Sequence, residues 1–136
     1  MGTEFIETLR QVIYPGDCDP MGHLNTRHYA ALFDHATWRL LLNLGVDDDC
    51  GGAAQFGWAD VETSVNYRRE VTVGSCACVL SRLASVGNKS LVTEHMLVVN
   101  GPEDERARCR IKSVRIDLLA RRSVEVPQVL HRYRQT

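Results

Sequence analysis

The chain has 136 residues, with 16 basic against 17 acidic and a formal net charge of −1; this excludes the broad positive field that nucleic acid or an anionic membrane surface selects for. At this length one domain is expected over residues 1–136, burying roughly two-thirds of the surface that the unfolded chain exposes. No run approaches the ~18 consecutive apolar residues of a membrane helix, MGTEFIETLR has no signal-peptide core, and the five cysteines Cys18, Cys50, Cys76, Cys78 and Cys109 form no CxxC pair, so reduced thiols in a cytoplasmic protein are expected.

Residues Glu4 to Tyr14 mix β-branched and aromatic residues with charges and read as a first strand, ended by Pro15-Gly16. A turn-rich stretch with Pro20, Gly22 and Asn25 follows. From Thr26 the period becomes helical: Tyr29, Leu32, Phe33, Ala36, Leu40 and Leu44 fall within an arc of about 120°, the width of a core-facing stripe, and Gly45 suits the C-terminal cap. Asp34, Trp38 and Leu42 occupy the opposite face, where two large apolar groups suggest an oligomer contact or cover by a later segment.

Val46 to Phe56 has turn composition and reads as a loop. Beyond it Ala59, Val61, Thr63, Val65 and Tyr67 alternate with polar residues as one face of a strand. Val71 to Ala84 is expected to be a strand with both faces mostly covered, broken by Gly87-Asn88. Ser90 to Val99 is the next, closed by Asn100-Gly101-Pro102. In the last long strand, Arg106 to Leu119, the apolar positions change phase from Cys109 and Ile111 to Val114, Ile116 and Leu118, which predicts a β-bulge. The tail carries Pro127 where the first turn of a short helix would accept it. Strand, long helix and four strands on hairpin-length connections make an α+β layer, one long helix against a five-stranded antiparallel sheet.

The chemistry gathers between Gly16 and Thr26. Asp19 lies just ahead of a helix whose first amides lack partners within the helix. With Asn25 as N-cap, its side chain would engage the amide of Arg27 or His28 and leave that of Thr26 free to polarise a carbonyl. A carboxylate and such an amide flanking one carbon are a minimal kit for acyl-transfer hydrolysis, although acidic residues populate turns everywhere and spacing alone favours turn capping for Asp19. Cys18 is a poor nucleophile, because two flanking carboxylates disfavour its thiolate. No metal is expected: His28 and His35 are about 10 Å apart along a helix, and His23 reads as a hydrogen-bonded loop histidine. The glycines match no nucleotide-binding loop.

Gly16-Asp17-Cys18-Asp19-Pro20-Met21-Gly22-His23-Leu24-Asn25, followed by Tyr29, resembles the GDxDxxGHxN…Y signature of hot-dog-fold acyl-CoA thioesterases of the 4-hydroxybenzoyl-CoA thioesterase type. The resemblance implies a thioester hydrolase with no cofactor beyond the coenzyme A of its acyl-CoA substrate. It implies a homodimer joined sheet edge to sheet edge, often paired again into a homotetramer, with active sites shared between subunits. Asp19 then falls on the catalytic carboxylate and Thr26 on the polarising amide, with His23 and Asn25 as pocket and turn residues; Asp34 matches an acid of varied role. Asn88, Lys89 and Ser90 align with a turn that contacts the coenzyme A phosphates, although Gly87 and Asn88 stand where some members have arginines, and Arg68 and Arg82 are further candidates. Thr26-Arg27 departs from the second Asn of GHxNN members.

Two other functions fit the same residues. A hot-dog hydratase or dehydratase on enoyl thioesters would need His23 and Asp19 to act as a pair, and a non-catalytic acyl-CoA binder would keep Lys89 but have no use for Asp19. The acyl group is unspecified; Tyr29, Phe33 and Trp58 would make an aromatic pocket, or Tyr29 and Phe33 simply pack the core.

Overall fold

A computed structural model describes residues 2–46 and 55–134, so most of the loop expected over Val46–Phe56 lies outside the described residues. The strands are β1 (Ile6–Val12), β2 (Phe56–Tyr67), β3 (Cys76–Val86), β4 (Ser90–Val98), β5 (Glu105–Asp117) and the two-residue β6 (Arg122–Ser123), and the helix α1 runs Thr26–Asn43. They form one antiparallel sheet ordered β1-β3-β4-β5-β2, with β6 on β5. One long helix on an antiparallel sheet is the expected α+β architecture; β6, too short to leave a sequence signal, is the addition.

Helix α1 lies across β1, β3 and β4. Its buried positions are Tyr29, Leu32, Phe33, Ala36, Thr37, Leu40 and Leu41, close to the predicted stripe with Thr37 and Leu41 added and Leu44 half-buried. Each fully buried Phe or Leu contributes roughly 1.5–3 kcal/mol of transfer free energy. The helix ends in a Schellman motif: the Gly45 N–H donates to the Leu42 carbonyl and the Val46 N–H to that of Leu41, Leu41 and Val46 pack together, and Gly45 has φ +88°, which a side chain would strain.

Two strand expectations are corrected. The bulge sits in β2, where the register with β5 shifts between Asp60 and Glu62; Val61 is the extra residue, and Ala59 therefore faces away from Thr63, Val65 and Tyr67. Strand β5 keeps its phase where a bulge was predicted. Its helix-side row continues from Cys109 and Ile111 to Ser113 and Arg115, both buried, so the apolar phase change reflects polar residues on the inner face. Ser113 donates to Asp60 at 2.7 Å, and the Arg115 guanidinium lies 5.0 Å from both the Phe56 and Trp58 rings. In the tail, Gln128–Tyr133 is a 3-10 turn with Pro127 as its N-cap, one position before the first-turn site expected of it.

A polar chain crosses the core beneath α1. His95 is fully buried, with Nδ1 2.6 Å from the Ser81 hydroxyl and Nε2 at 3.0 and 3.1 Å from the Thr93 and Thr37 hydroxyls. Ser81 meets Thr8 at 2.7 Å, the residue at which the β1–β3 register shifts. Because Thr37 donates to the Phe33 carbonyl, the neutral tautomer protonated at Nε2 leaves each ring nitrogen satisfied. Four elements are thus tied through one imidazole.

Burial pushes the His95 pKa down from 6.5 to about 4. With the folded value below the unfolded one, the stability that neutral His95 contributes is fully present above about pH 6.5 and is lost as pH falls towards 4. Urea unfolding from about pH 7 to pH 4 should show a loss on the order of 3 kcal/mol from this residue. His95→Gln, less stable at neutral pH, should give a flatter profile; equal slopes for the two proteins would mean that the folded state protonates freely.

Candidate functional site

The loop before α1 is fixed by its own main chain. Gly22, at φ +80°, donates its N–H to the Asp19 carbonyl and accepts from the Val73 N–H, while the Asp19 N–H donates to His23, Leu24 to Val71 and Asn25 to Asp17. The Asp19 side chain closes the turn from within: its Oδ1 accepts from the Met21 N–H at 2.8 Å and the His23 N–H at 3.3 Å. Its Oδ2 takes no hydrogen bond from the described residues. The turn capping favoured by spacing is therefore real, and it occupies one oxygen only.

The helix start behaves as its N-cap dictates. The Asn25 Oδ1 accepts from the Arg27 N–H at 3.1 Å, and the His28 N–H donates to the Asn25 carbonyl. The Thr26 N–H has no acceptor among the described residues. Asp19 and Thr26 line a common cavity of about 360 Å³, with His23, Tyr29, Tyr67, Arg68, Arg69 and Glu70 also on its walls.

The arginines of this wall are held in ion pairs. Arg68 pairs with Glu105 at 2.6 Å and Arg69 with Asp104 at 3.1 Å. Arg106 forks onto both Asp104 oxygens and donates to the Glu70 carbonyl, which holds the Asp104 carboxyl down at about 2. Asp19 and Glu70 make no ion pair with the described residues. Tyr67 is 52% exposed while Tyr29 is buried, and their rings meet edge to face at 5.0 Å. Burial, reinforced by Tyr67, pushes the Tyr29 hydroxyl up.

Of the residues singled out from the sequence, Asp19, His23 and Thr26 line one cavity, and Asn25 shapes it as the cap. The His23 contact to Asp19 runs through its main-chain N–H. Burial, followed by the Asp17 and Asp19 charges, raises the Cys18 thiol, against a nucleophilic role. Among the described residues no group of three or more His, Cys, Asp or Glu side chains could hold a metal ion. Trp58 packs at the other end, with Leu41, Val86 and Leu130. Tyr67, Arg69 and Glu70 were missed; they lie at or just past the end of an alternating strand, and the hydrogen bonds of Arg68 and Arg69 to Arg106, of Leu24 to Val71 and of Val73 to Gly22 fold that end back onto the loop.

Asn88, Lys89 and Ser90 are not brought to Asp19 within the chain. The Asp19 loop bridges to Thr72 just before β3 begins, whereas the 87–90 turn follows its end; β3 has 11 residues and spans roughly 33 Å. The Asn88 carbonyl accepts from Val126 and Arg134, and that of Lys89 from Arg115. The Lys89 side chain is exposed.

Comparison with known proteins gives a consistent picture. A family model described as the thioesterase-like superfamily matches residues 13–132. The L-carnitine dehydrogenase/betainyl-CoA thioesterase of Agrobacterium fabrum is 29% identical over 117 residues, 86% of this chain and 24% of that protein. The betainyl-CoA thioesterase of Pseudomonas aeruginosa is 26% identical over 99 residues, 73% and 62% of the two chains. The chain thus spans less than two-thirds of either relative. A solved structure from Pseudomonas aeruginosa superposes with a TM-score of 0.82 at 25% identity, covering 95% of this chain and 98% of that one.

The cap can be tested by itself. Asn25→Ala should cost about 1 kcal/mol in urea unfolding, and Asn25→Asp, which keeps the acceptor, only a few tenths. Equal losses would mean that the Arg27 amide does not depend on this side chain.

Proposed function

Because the thioesterase-like model covers most of its length, the chain belongs to the thioesterase-like superfamily, and from that premise we propose that it hydrolyses an acyl-CoA thioester to the free acid and coenzyme A. The observation that carries this reading is Asp19, with one oxygen tethered and the other free, on the cavity wall shared with Thr26. A thioester carbonyl directed at the Thr26 N–H would present its carbon to the free Oδ2. As nucleophile, Asp19 attacks that carbon, the C–S bond breaks, coenzyme A leaves as thiolate, and water hydrolyses the resulting mixed anhydride. As general base it takes a proton from the attacking water instead. Both routes need the carboxylate. A hydratase is less well supported, since the His23 ring makes no contact with Asp19 among the described bonds.

The phosphate contacts of coenzyme A fit a dimer. Strand β2 has a free edge among the described strands, α1 leaves it largely uncovered, and Val61, at 57% exposure, and Tyr67 stand open on it; an edge of this kind favours pairing with another strand. Pairing β2 with a second β2 about a two-fold axis is antiparallel and sets the Phe56 end of one chain beside the Tyr67 end of the other. Ser90 lies on that Phe56 end, in one row with Val114 and Ala59. The partner's Asn88, Lys89 and Ser90 would then reach the Asp19 end for the phosphates. The exposed Trp38 and Leu42 are a surface for pairing dimers.

For the acyl group we propose a small quaternary ammonium acid, as in the betainyl-CoA named for both relatives. The support within this chain is the open Tyr67 ring on one wall with Asp19 and Glu70, which make no ion pair with the described residues, since a ring face and carboxylates both attract a cation.

Two measurements test these readings. Asp19→Asn should lower kcat about 10²- to 10⁴-fold with little change in KM, the range for losing a general base; wild-type thiol release by this variant would remove Asp19 from the chemistry. Betainyl-CoA should be preferred to its neutral isostere 3,3-dimethylbutanoyl-CoA by about tenfold in kcat/KM, a preference reduced in Tyr67→Leu and Glu70→Gln. Equal use of the two would exclude the cationic acyl group while leaving the hydrolase intact.

A further inference from the structure

Tyr29 carries a polar group that the core does not use. It stands one turn into α1 from Thr26 and is 5% exposed, with its ring edge to face on that of Tyr67 at 5.0 Å and 6.4 Å from that of Phe33. Its hydroxyl makes no hydrogen bond with the described residues. Among those residues the only side-chain nitrogen or oxygen sealed in the interior without a partner is the Trp58 Nε1, so the Tyr29 oxygen is not sealed in the core. The residue opens instead on the cavity of about 360 Å³ that Asp19 and Thr26 also line. A helical side chain leans back over the turn N-terminal to its own Cα, which carries the phenol towards the helix end where the Thr26 N–H points. Burial, then Tyr67, and more weakly the Asp19 and Glu70 charges hold the hydroxyl above the usual phenol range, with Arg106 opposing; at neutral pH it is an O–H donor. Asp17, by contrast, lines a separate cavity with Gln11 and His28 and is not part of this wall.

We infer that the Tyr29 hydroxyl is a second donor, with the Thr26 N–H, to the carbonyl oxygen of the bound thioester. This deepens the hydrolase reading and rests on it for its kinetic effect. When an Asp19 oxygen, or the water it activates, adds to the carbonyl carbon, the C=O pair moves onto oxygen and the two donors meet the charge there. As the C–S bond breaks, that pair re-forms the carbonyl, and the C–S pair leaves on sulfur as coenzyme A thiolate. The phenol proton stays on Tyr29 throughout. Packing on Phe33 and Tyr67 fixes the ring before a substrate arrives, so the donor needs no reorganisation as the charge develops.

Tyr29→Phe keeps the ring and both ring contacts and removes only the oxygen. In thiol-release assays it should lower kcat about 10²- to 10³-fold, the range for one oxyanion donor, with KM within about twofold. The factor should be the same for every thioester that the wild type cleaves, betainyl-CoA and acetyl-CoA among those assayed, because the carbonyl oxygen is common to all. The urea midpoint should not fall, since no protein group depends on this hydroxyl. The contact can also be read without turnover, in the ketone analogue of acetyl-CoA that has methylene in place of sulfur. Its isotopically labelled carbonyl stretch should move to lower frequency on binding the wild type and less far on binding Tyr29→Phe. Unchanged kcat, a loss in KM alone or confined to one acyl group, a lowered urea midpoint, or equal carbonyl shifts in the two proteins would overturn the assignment. If the wild type released no thiol yet shifted the carbonyl further than Tyr29→Phe does, the hydrolase reading would fall and the donor would stand.

Discussion

The position of the α1 N-terminus governs the candidate site, and the core sets that position. Phe33, Ala36 and Leu40 are sealed against the sheet, while Thr37, His95 and Ser81 add directional bonds across the same contact. Apolar burial alone tolerates sliding of a helix along a sheet; hydrogen bonds of 2.6–3.1 Å to an imidazole do not. The first turn of α1 thereby has a defined place relative to β3, and the loop ahead of it is held to the approach of β3 by the bond from Leu24 to Val71 and the bridge from His23 to Thr72.

Electrostatics at this end follow from how the arginines are employed. Three in sequence reach, Arg68, Arg69 and Arg106, would flood the cavity with positive charge if left unpaired. Glu105 and Asp104 take them up. Of these only Arg106 is buried, and a buried arginine that loses its acid is far costlier than the pair is beneficial, so the Asp104–Arg106 pair fixes this side of the cavity.

Much of this was legible in the sequence, for physical reasons that differ by element. The stripe Tyr29 to Leu40 could be read because a helix buries one face at a constant angular step, and the Asn25 cap because only a few side chains can serve the free amides. Thr37 escaped because a polar residue on an apolar stripe shows its partner only once β4 is in place. Strand β5 misled in the opposite sense: Val114 and Ile116 looked like a change of phase, but the inner face had become polar at Ser113 and Arg115. Asp17 and Asp19 were visible as a pair, yet their division between two cavities depends on a turn that points successive acids to opposite sides. Tyr67 and Glu70 had no local signal at all, since the contact that brings them to the loop lies in the hydrogen bonding of Arg106 and Val71.

The same topology limits what one chain can do. In this sheet order β2 is an outer strand, reached by β5 on one side, and the helix lies over the other strands. The cavity beside Asp19 therefore opens towards an edge strand that is exposed over much of its length, with Val65 and Trp58 packed inward. The basic turn at Lys89 lies at the far end of the same sheet, and no hinge within a continuous antiparallel ladder can fold that end back over roughly 33 Å. In the proposed dimer a two-fold axis through β2 would remove both difficulties together, because reversing the strand exchanges its ends: the exposed edge would gain its ladder, and the turn of one chain would approach the carboxylate of the other. The distance that separates these groups within one chain is thus what would make them neighbours in such a pair.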